Sequence, residues 1–591
     1  MDRLYDIFSF ASSDKMVFNR LDFWLFFLAF LIVFSALHKH QLVRSIFFTV
    51  VSMFLYYKTS GLFVLLLAGS IVFNFLLGKW IFNVDTDKKR KWIIAFSAIM
   101  NIFFLAYFKY AYFFTESYNE LFHSNYEIVN WFAQMGNGFF GDGFFETKIL
   151  LPAGVSFFTF QSISYVVDIY RKEITPVKNF FDYAFYVTYF PHVIMGPIVR
   201  ARDFIPQIYQ PFHLTKDEFS ASVILIVKGL IKKIILADYI AIHFIDKVVD
   251  APESYPGFVS VIAMWGYSLQ IYGDFSGYTD IAIGISKLMG FELLPNFNSP
   301  YKANSVADFW RRWHKSLGGW LRDYLYIPLG GNKKGGLGTY IATTIIFIFL
   351  FFILQWYELI FIYAGLLAVY VILSLLFPSF KKYVHRDLNL LITMIVGGLW
   401  HGASENFVIW GAMNGVALVI YNYWKKISPY ENKPWMIVHF WKIFLTFNFI
   451  TFTRIWFRLD EEGEPIAMIH HIWNHFDFTW TTFLTVIYTY QKVFWIMLVG
   501  FIVHWLPDNV KAIWENAFAR MPMPAQVFAV AIIVLLMYQA VSDTFKAFVY
   551  FVLGIITISV LAALFGVGIA TTGLLPLRRF ILEDGAHNWY A

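Results

Sequence analysis

The chain has 591 residues, of which 59% are hydrophobic and only 15% are charged, and its mean hydropathy is +0.58. A soluble domain is nearer to half apolar and about one quarter charged, so this balance excludes an ordinary soluble protein. The chain has no cysteine, which excludes disulfides, thiolate metal sites and an S-acyl intermediate on this chain. The net charge of +6 is mild and does not indicate a nucleic-acid partner.

Long apolar runs predict membrane-spanning helices. Residues 21–37 read LDFWLFFLAFLIVFSAL, and residues 341–354 read IATTIIFIFLFFIL. A hydrocarbon core of about 30 Å needs roughly 20 apolar residues per helix, and only helices or closed barrels satisfy the backbone there. The runs do not alternate as barrel strands do. The sequence therefore predicts an all-α polytopic membrane protein with about 13 embedded segments.

Charge in the first loops predicts the orientation of the chain. Basic residues follow the first, third and fifth runs: Lys39 and Arg44, then Lys88, Lys89, Arg90 and Lys91, then Arg171 and Lys172. The loop 115–147 is acidic instead, with Glu116, Glu120, Glu127, Asp142 and Glu146. Basic loops favour the cytoplasmic side of an inner membrane. We therefore expect the N-terminus and the loop 115–147 to lie outside, with the first run retained as a membrane helix.

The rest of the chain shows no internal repeat and no low-complexity linker. The stretch 291–336 is the least hydrophobic part of the middle and is rich in basic residues, so it is predicted to face the cytoplasm. Apolar blocks within it are expected to dip into the membrane. Residues 1–591 are therefore treated as a single membrane domain.

A histidine ends one apolar run, in the segment VGGLWHGASENFVIWG at 396–411. A neutral imidazole such as that of His401 suits proton transfer near pH 7, and the glycines beside it would let a substrate approach the ring. Glu405 would share a face with His401 if the helix continued. The alternative is a histidine satisfied by a helix carbonyl in a packed core.

A second histidine lies in the segment FWRRWHKSLGGWLRDYLYIPLGGNKKGG at 309–336, among aromatic and cationic side chains. His314 is flanked by Arg311, Arg312 and Trp313. Cations beside indole rings suit an anionic ligand such as coenzyme A or a phosphopantetheine carrier. A basic belt at the membrane interface explains the same composition, and composition alone favours it slightly.

A third cluster places Asp274, Ser276, Thr279 and Asp280 among glycines, in YGDFSGYTDIAIGIS at 272–286. Polar groups in such a setting indicate interhelical packing or a lined cavity. Hydrogen bonding between helices is the favoured interpretation.

Several of these stretches, taken together and in order, resemble a known family. The resemblance rests on GVSFFTFQSISYVVDIYR at 154–171, YFPHVIMGPIVR at 189–200, GLIKKIILAD at 229–238, YGDFSGYTDIAIGISKLMGF at 272–291, NFNSPYKANSVADFWRRWHKSLGGWLRDYLYIPLGGNKKG at 296–335 and LLITMIVGGLWHGAS at 390–404. The chain resembles the membrane-bound O-acyltransferases (MBOAT), in the bacterial branch of the alginate O-acetyltransferase membrane subunit. The match covers roughly residues 60–460, and the remaining residues, 461–591, are expected to form C-terminal transmembrane helices.

The resemblance implies a fold and a set of site residues. The implied fold is a ring of tilted transmembrane helices around a central tunnel, with re-entrant segments. His401 corresponds to the family's catalytic histidine, and His314 to a second functional histidine on the cytoplasmic side. The candidates for binding substrate or donor are Arg311, Arg312, Trp313, Trp400, Asp280 and Glu405. No metal is expected.

The implied activity is transfer of an acyl group, expected to be acetyl, from a cytoplasmic thioester such as acetyl-CoA to a hydroxyl of an envelope or exported polysaccharide. No permanently bound cofactor is expected. The branch implies a periplasmic SGNH-type partner that completes the transfer, besides the membrane lipid that surrounds the chain.

Two departures from the family pattern concern helix placement and substrate access. Residues 338–384 insert two apolar runs, predicted to be an extra helical hairpin, where the family chain is short. The triplet ENF follows WHGAS where a WTF-like triplet is common.

Three alternatives stay open. One is D-alanyl transfer, and another is acylation of a lipid or protein acceptor. The third is a transporter or flippase without covalent chemistry, since buried Asp and His also serve proton relays. Against a transporter, the chain shows no repeated halves.

Overall fold

A computed structural model describes residues 16–18, 20–141, 143, 145–354 and 358–541. These residues form helices and connecting loops without a β-strand, so the predicted all-α class is confirmed. The start of the chain lies outside the described residues, as does the part of 461–591 that follows Val541.

Four helical stretches of the described chain are long and apolar enough to cross a membrane: Gln41–Phe82, Asp87–Phe122, Leu359–Leu376 and Met436–Arg458. A fifth results if Trp480–Thr489 and Gln491–Trp505, which meet at 89°, form one broken span. Other apolar helices are shorter, such as Val155–Tyr170 with 16 residues. The prediction of a polytopic membrane protein is thereby confirmed, while the figure of about 13 embedded segments stays a prediction.

The chain forms two compact units that alternate along the sequence. The first contains the described residues as far as Phe82, then Lys172–Asn296, then those from His475 onward, and the second contains Asn83–Arg171 and Phe297–Asn474. The α-helices of the first unit are Leu21–Leu37, Gln41–Ser60, Val64–Phe82, Phe180–Thr188, Phe190–Val193, Ala201–Ile208, Lys216–Ile231, Asp246–Val249, Gly257–Leu288, Trp480–Thr489, Gln491–Trp505, Asp508–Arg520 and Met523–Val541. Those of the second are Asp87–Phe122, Trp131–Phe140, Val155–Tyr170, Val306–Arg312, Lys315–Leu321, Ile327–Leu329, Leu337–Leu354, Leu359–Leu376, Pro378–His401, Glu405–Ile427, Met436–Thr453, Ile455–Arg458 and Glu464–Asn474. The single membrane domain with a core at 60–460 stays a prediction.

Two helices of the first unit, Lys216–Ile231 and Gly257–Leu288, pack with their backbones in close contact. A Cβ atom on Gly229 would lie 2.5 Å from the carbonyl oxygen of Gly277. Small residues permit this approach, which is the usual packing device of membrane helices. The first helix begins at Thr215, whose side chain and that of Glu218 cap each other's backbone N–H.

The acidic residues of the third cluster pair with lysines of a π-helical stretch, Lys232–Tyr239. Lys232 Nζ lies 2.6 Å from Asp280 Oδ2, and Lys233 Nζ lies 2.5 Å from Asp274 Oδ1. A charge in apolar surroundings is stabilised by such a partner. The ion pairs agree with the favoured interpretation of interhelical bonding, and a role for Asp280 in binding donor stays a prediction.

In the second unit, helices Pro378–His401 and Glu405–Ile427 pack against each other as a hairpin. A Cβ atom on Gly398 would lie 2.2 Å from the carbonyl oxygen of Phe407 and 3.0 Å from Gly411 Cα. A Cβ on Gly402 would overlap the Phe407 ring at 2.0 Å. The glycines that were expected to admit a substrate beside His401 therefore serve close helix packing at these two positions.

Helices Leu337–Leu354 and Leu359–Leu376 occupy the stretch for which an inserted hairpin was predicted. Thr344 and Tyr363 join them through a hydrogen bond of 3.1 Å between their hydroxyl oxygens. Apart from its first residue, Leu359, no described side chain of the apolar helix Leu359–Leu376 is buried within the protein. Such a helix is stable only where lipid covers it.

The start of helix Pro378–His401 is tied to the loop that precedes the hairpin. The backbone N–H of Gly335 donates to His385 Nδ1 at 2.7 Å. Asn389 Nδ2 donates to the carbonyl oxygen of Gly331 at 3.0 Å, and Asn389 Oδ1 accepts from Thr339 at 2.7 Å. These bonds satisfy polar backbone groups of the glycine-rich loop and fix the helix that ends at His401.

Candidate active site

The two histidines identified from the sequence lie in contact in the second unit. The centroids of the His314 and His401 rings are 6.2 Å apart, although the residues are far apart in the sequence. His314 is only 1% exposed, and His401 is half-buried. Two imidazoles at this distance can act on one bound substrate.

His314 lies at a sharp turn between two short helices, Val306–Arg312 and Lys315–Leu321. The first helix begins at Ser305, whose hydroxyl accepts from the backbone N–H of Asp308 at 3.1 Å. It ends before Trp313, which is extended, and His314 then adopts a left-handed conformation with φ +44°. A non-glycine residue in this region is uncommon, and here the turn directs the imidazole toward His401.

His401 is the last residue of its helix, and aromatic rings surround it. Its ring centroid lies 4.8 Å from that of Trp400, 5.2 Å from Trp410 and 5.1 Å from Phe457. An aromatic enclosure of this kind limits water around the imidazole and strengthens electrostatic interactions with a bound substrate.

Two tryptophans of the aromatic cluster around the histidines have buried indole N–H groups. The Trp400 ring lies 5.4 Å from His314, and the Trp310 ring lies 5.6 Å from Trp410. Within the described part of the chain, neither Trp310 Nε1 nor Trp400 Nε1 has a hydrogen-bond acceptor. A buried donor left unpaired costs about 1–3 kcal/mol, so these groups are available to an acceptor oxygen on a ligand.

The C-terminal end of the His401 helix is held by two neighbouring residues of helix Asp87–Phe122. Tyr110 Oη donates to the carbonyl oxygen of Leu399 at 2.5 Å. Lys109 Nζ donates to the carbonyl oxygen of Trp400. A cation and a hydroxyl at this position satisfy carbonyls that the helix itself leaves without partners.

Trp313 packs against a buried arginine and not toward open space. The Arg454 guanidinium carbon lies 4.6 Å from the Trp313 ring centroid, and Arg454 Nη1 donates to Tyr301 Oη at 2.7 Å. Arg454 is 3% exposed, so contact with aromatic faces supplies much of its stabilisation. The predicted role of Trp313 in binding a donor stays a prediction.

The two arginines before His314 share one carboxylate. Arg312 Nε lies 2.9 Å from Asp308 Oδ2, and Arg311 Nη2 lies 3.3 Å from Asp308 Oδ1. The side chain of Arg311 is 73% exposed, whereas that of Arg312 is 30% exposed. Arg311 therefore presents the more accessible cation, and the roles of both arginines in binding a donor stay predictions.

Glu405 does not share a helical face with His401, because the helix does not continue through this segment. The backbone is extended at Gly402, and Ser404 caps a new helix that starts at Glu405. The hydroxyl of Ser404 accepts from the backbone N–H of Asn406 at 3.3 Å. The condition for a shared face, a continuous helix, is therefore not fulfilled, and a role for Glu405 in binding substrate or donor stays a prediction.

Sequence reasoning missed Lys109 and Arg454. Each is a single cation within an apolar run, NIFFLAYFKYAYFF at 101–114 and FITFTRIWF at 449–457. An ionisable residue in such a run marks a functional or structural site by default, so the signal was present.

Comparison with known proteins places the chain in a family. The family model of the membrane-bound O-acyltransferases matches residues 93–377, a range that includes His314 and ends before His401. The chain is 36% identical over 363 residues to the probable alginate O-acetylase of Pseudomonas aeruginosa, a match that covers 61% of this chain and 57% of that protein. It is 26% identical over 312 residues to the teichoic acid D-alanyltransferase of Bacillus subtilis, covering 51% of this chain and 66% of that protein.

A further relative is matched over most of its length. The chain is 31% identical over 463 residues to the peptidoglycan O-acetyltransferase of Helicobacter pylori, covering 73% of this chain and 74% of that protein. Because identity at this level extends over nearly three quarters of both proteins, the chain belongs to the membrane-bound O-acyltransferase family.

Proposed function

We propose that this protein is an O-acyltransferase that moves an acetyl group from a thioester donor on the cytoplasmic side to a hydroxyl of an envelope or exported polysaccharide. The observation that carries the proposal is the contact between His314 and His401 inside an aromatic enclosure. The activities of two relatives, probable alginate O-acetylation and peptidoglycan O-acetylation, support acetyl as the group and a glycan as the acceptor.

The proposed reaction is a direct acyl transfer. The acceptor hydroxyl oxygen attacks the thioester carbonyl carbon while His401 takes the hydroxyl proton. The carbon–sulfur bond then breaks, and the proton passes to the departing thiolate, which leaves as a thiol. An ester of the acceptor is the other product. The chain has no cysteine, so no acyl-cysteine intermediate forms on it.

The negative charge that develops on the thioester carbonyl oxygen requires hydrogen-bond donors. The unpaired indole N–H groups of Trp400 and Trp310 are the candidates, because both are buried. Trp400 contacts His314, and Trp310 contacts Trp410, whose ring contacts His401. Donors fixed in a low-dielectric site stabilise such an oxyanion far more than they would in water. We assign them this role, with His314 and the exposed Arg311 holding the donor.

The polysaccharide acceptor is proposed to be reached from the periplasmic side of the inner membrane, directly or through a periplasmic SGNH-type partner. We place the N-terminus and the loop 115–147 on that side, because the loop is acidic and basic loops favour the cytoplasm. The D-alanyltransferase relative supports one alternative, in which the transferred group is D-alanyl.

The test is the amount of ester-linked acetate on envelope and secreted glycans. We expect it to fall in a deletion strain and to fall equally in His401→Ala. The control is His439→Ala, since His439 is an exposed histidine of the same unit and should leave acetate unchanged. Unchanged acetate in the deletion strain would contradict acetyl transfer and favour D-alanyl or another acyl group as the group transferred.

A further inference from the structure

The last turn of helix Pro378–His401 needs partners for its carbonyl groups. The last carbonyl oxygens of any helix lack an N–H donor within the helix. In hydrocarbon no water is available to donate to them instead. Gly402 is extended with φ −162°, so the chain leaves the helix abruptly. The position of His401 therefore depends on what binds the carbonyl oxygens just before it.

Two consecutive side chains of another helix supply that binding. Tyr110 donates to the Leu399 carbonyl at 2.5 Å, and Lys109 donates to the Trp400 carbonyl. Lys109 Nζ also lies 3.5 Å from Ser156 Oγ on helix Val155–Tyr170. The two donors thus link the end of the His401 helix to two other helices of the same unit.

Burial of the Lys109 ammonium costs more free energy than capping a helix requires, since a neutral donor such as Tyr110 also caps it. Its Nζ forms no ion pair with a carboxylate within the described part of the chain. A partly buried ammonium in an apolar run is costly, and such a residue marks a functional site by default. The ammonium also lies 5.7 Å from the centroid of the Trp400 ring, which contacts both histidines.

We propose that Lys109 and Tyr110 are positioning residues that hold His401 at its working distance from His314. Neither touches the reacting atoms. They act through the carbonyls of the two residues that precede His401, so a shift of either bond is passed directly to the imidazole. The inference rests on the proposed acyl transfer at His401.

Misplacement of a catalytic group by about 1 Å can cost about 100-fold in rate. Lys109→Met removes both the charge and the donor, so we expect kcat to fall about 100-fold, with the KM for the donor unchanged, since donor binding does not involve this side chain. Tyr110→Phe keeps the ring and removes only the hydroxyl, so we expect a smaller fall in kcat. Lys109→Arg, which restores a charged donor, should recover part of the loss.

The measurement is the initial rate of acetyl transfer in membranes over a range of radiolabelled acetyl-CoA concentrations, divided by the amount of folded protein. Lys442→Met is the matched control, because Lys442 is also a half-buried lysine of this unit and pairs with Glu431 at 2.9 Å. It should leave kcat per folded molecule unchanged.

His401→Ala is measured in parallel to separate the two proposals. Full activity of His401→Ala would overturn the proposed function itself. An inactive His401→Ala beside a wild-type kcat in both Lys109→Met and Tyr110→Phe would overturn only the positioning role. A rise in KM without a fall in kcat would also overturn it, since that result means lost binding and not lost orientation. If Lys109→Met does not fold, Tyr110→Phe decides, because it removes a single oxygen.

Discussion

His314 adopts a backbone conformation that non-glycine residues avoid, and it does so beside the catalytic candidate. A left-handed residue of this kind costs on the order of 1–3 kcal/mol and persists only where its surroundings fix it. Here the next helix fixes it, since the backbone N–H of Gly318 donates to the carbonyl oxygen of His314 at 3.0 Å. The residue before it, Trp313, is held by packing of its ring against Arg454. The cost is consistent with a turn selected for the direction of the imidazole.

The indole N–H of Trp400 can be removed without removing its ring. In Trp400→Phe an aromatic ring still contacts both histidines, but one proposed donor to the oxyanion is lost. We expect the transfer rate to fall about 100-fold, as for loss of one such donor in other acyl transfers. The rate per folded protein measures this, with the exposed Trp435→Phe as control. An undiminished rate in both Trp400→Phe and Trp310→Phe would remove the indoles from the mechanism.

The histidines could be identified from the sequence, but their partners could not. His314 and His401 lie in segments of unusual composition, and the resemblance to a family marked them. Lys109 bonds to Trp400 across 291 positions of the chain. Hydropathy reports that a segment is apolar, but it carries no information on which helix faces which.

The helix hairpin behind His401 depends on glycine at two facing positions. Gly398 and Gly411 lie so close that a Cβ on either would meet the backbone of the other helix. The sequence suggested that Gly398, as a small neighbour of His401, makes room for a substrate. The physical reason for the difference is that a helix partner also requires small residues, and the pattern does not distinguish the two uses.

Gly398→Ala is expected to destabilise the protein by about 1–3 kcal/mol, the usual cost of overpacking. The added Cβ would lie 2.2 Å from the Phe407 carbonyl oxygen, so the two helices must separate. Gly365→Ala is the matched control, because nothing lies within 4 Å of a Cβ there. It should be neutral or stabilising, since alanine favours the helix. Thermal unfolding in detergent measures both, and equal melting temperatures would contradict the packing role.

The break between His401 and Glu405 shows where local pattern falls short. An apolar stretch with glycines is compatible with one long helix or with two, and the sequence interpretation allowed for a continuous one. Ser404 decides in favour of two helices, since serine is a strong N-cap and its hydroxyl binds the next turn. Ser404 also donates to the carbonyl oxygen of Asp460 at 3.1 Å, a contact that only the fold reveals.

At the scale of the whole molecule, composition was sufficient to predict a helical membrane protein. Composition does not predict the number of membrane spans as well, because helices such as Val155–Tyr170 are short and one helix pair bends at a break. The two units alternate along the chain, so neighbours in space come from distant segments. Linear patterns cannot report such an arrangement.

We propose that an acyl group enters from the cytoplasm and is transferred at His401 to an acceptor on the other side of the membrane. Sealed inner-membrane vesicles supplied with radiolabelled acetyl-CoA test it most directly. Everted vesicles, which expose the cytoplasmic face, should incorporate label into glycan as an alkali-labile ester. Sealed right-side-out vesicles should incorporate none until they are permeabilised, and His401→Ala should incorporate none in either form. Equal incorporation by sealed vesicles of both orientations, or undiminished label with His401→Ala, would contradict the account.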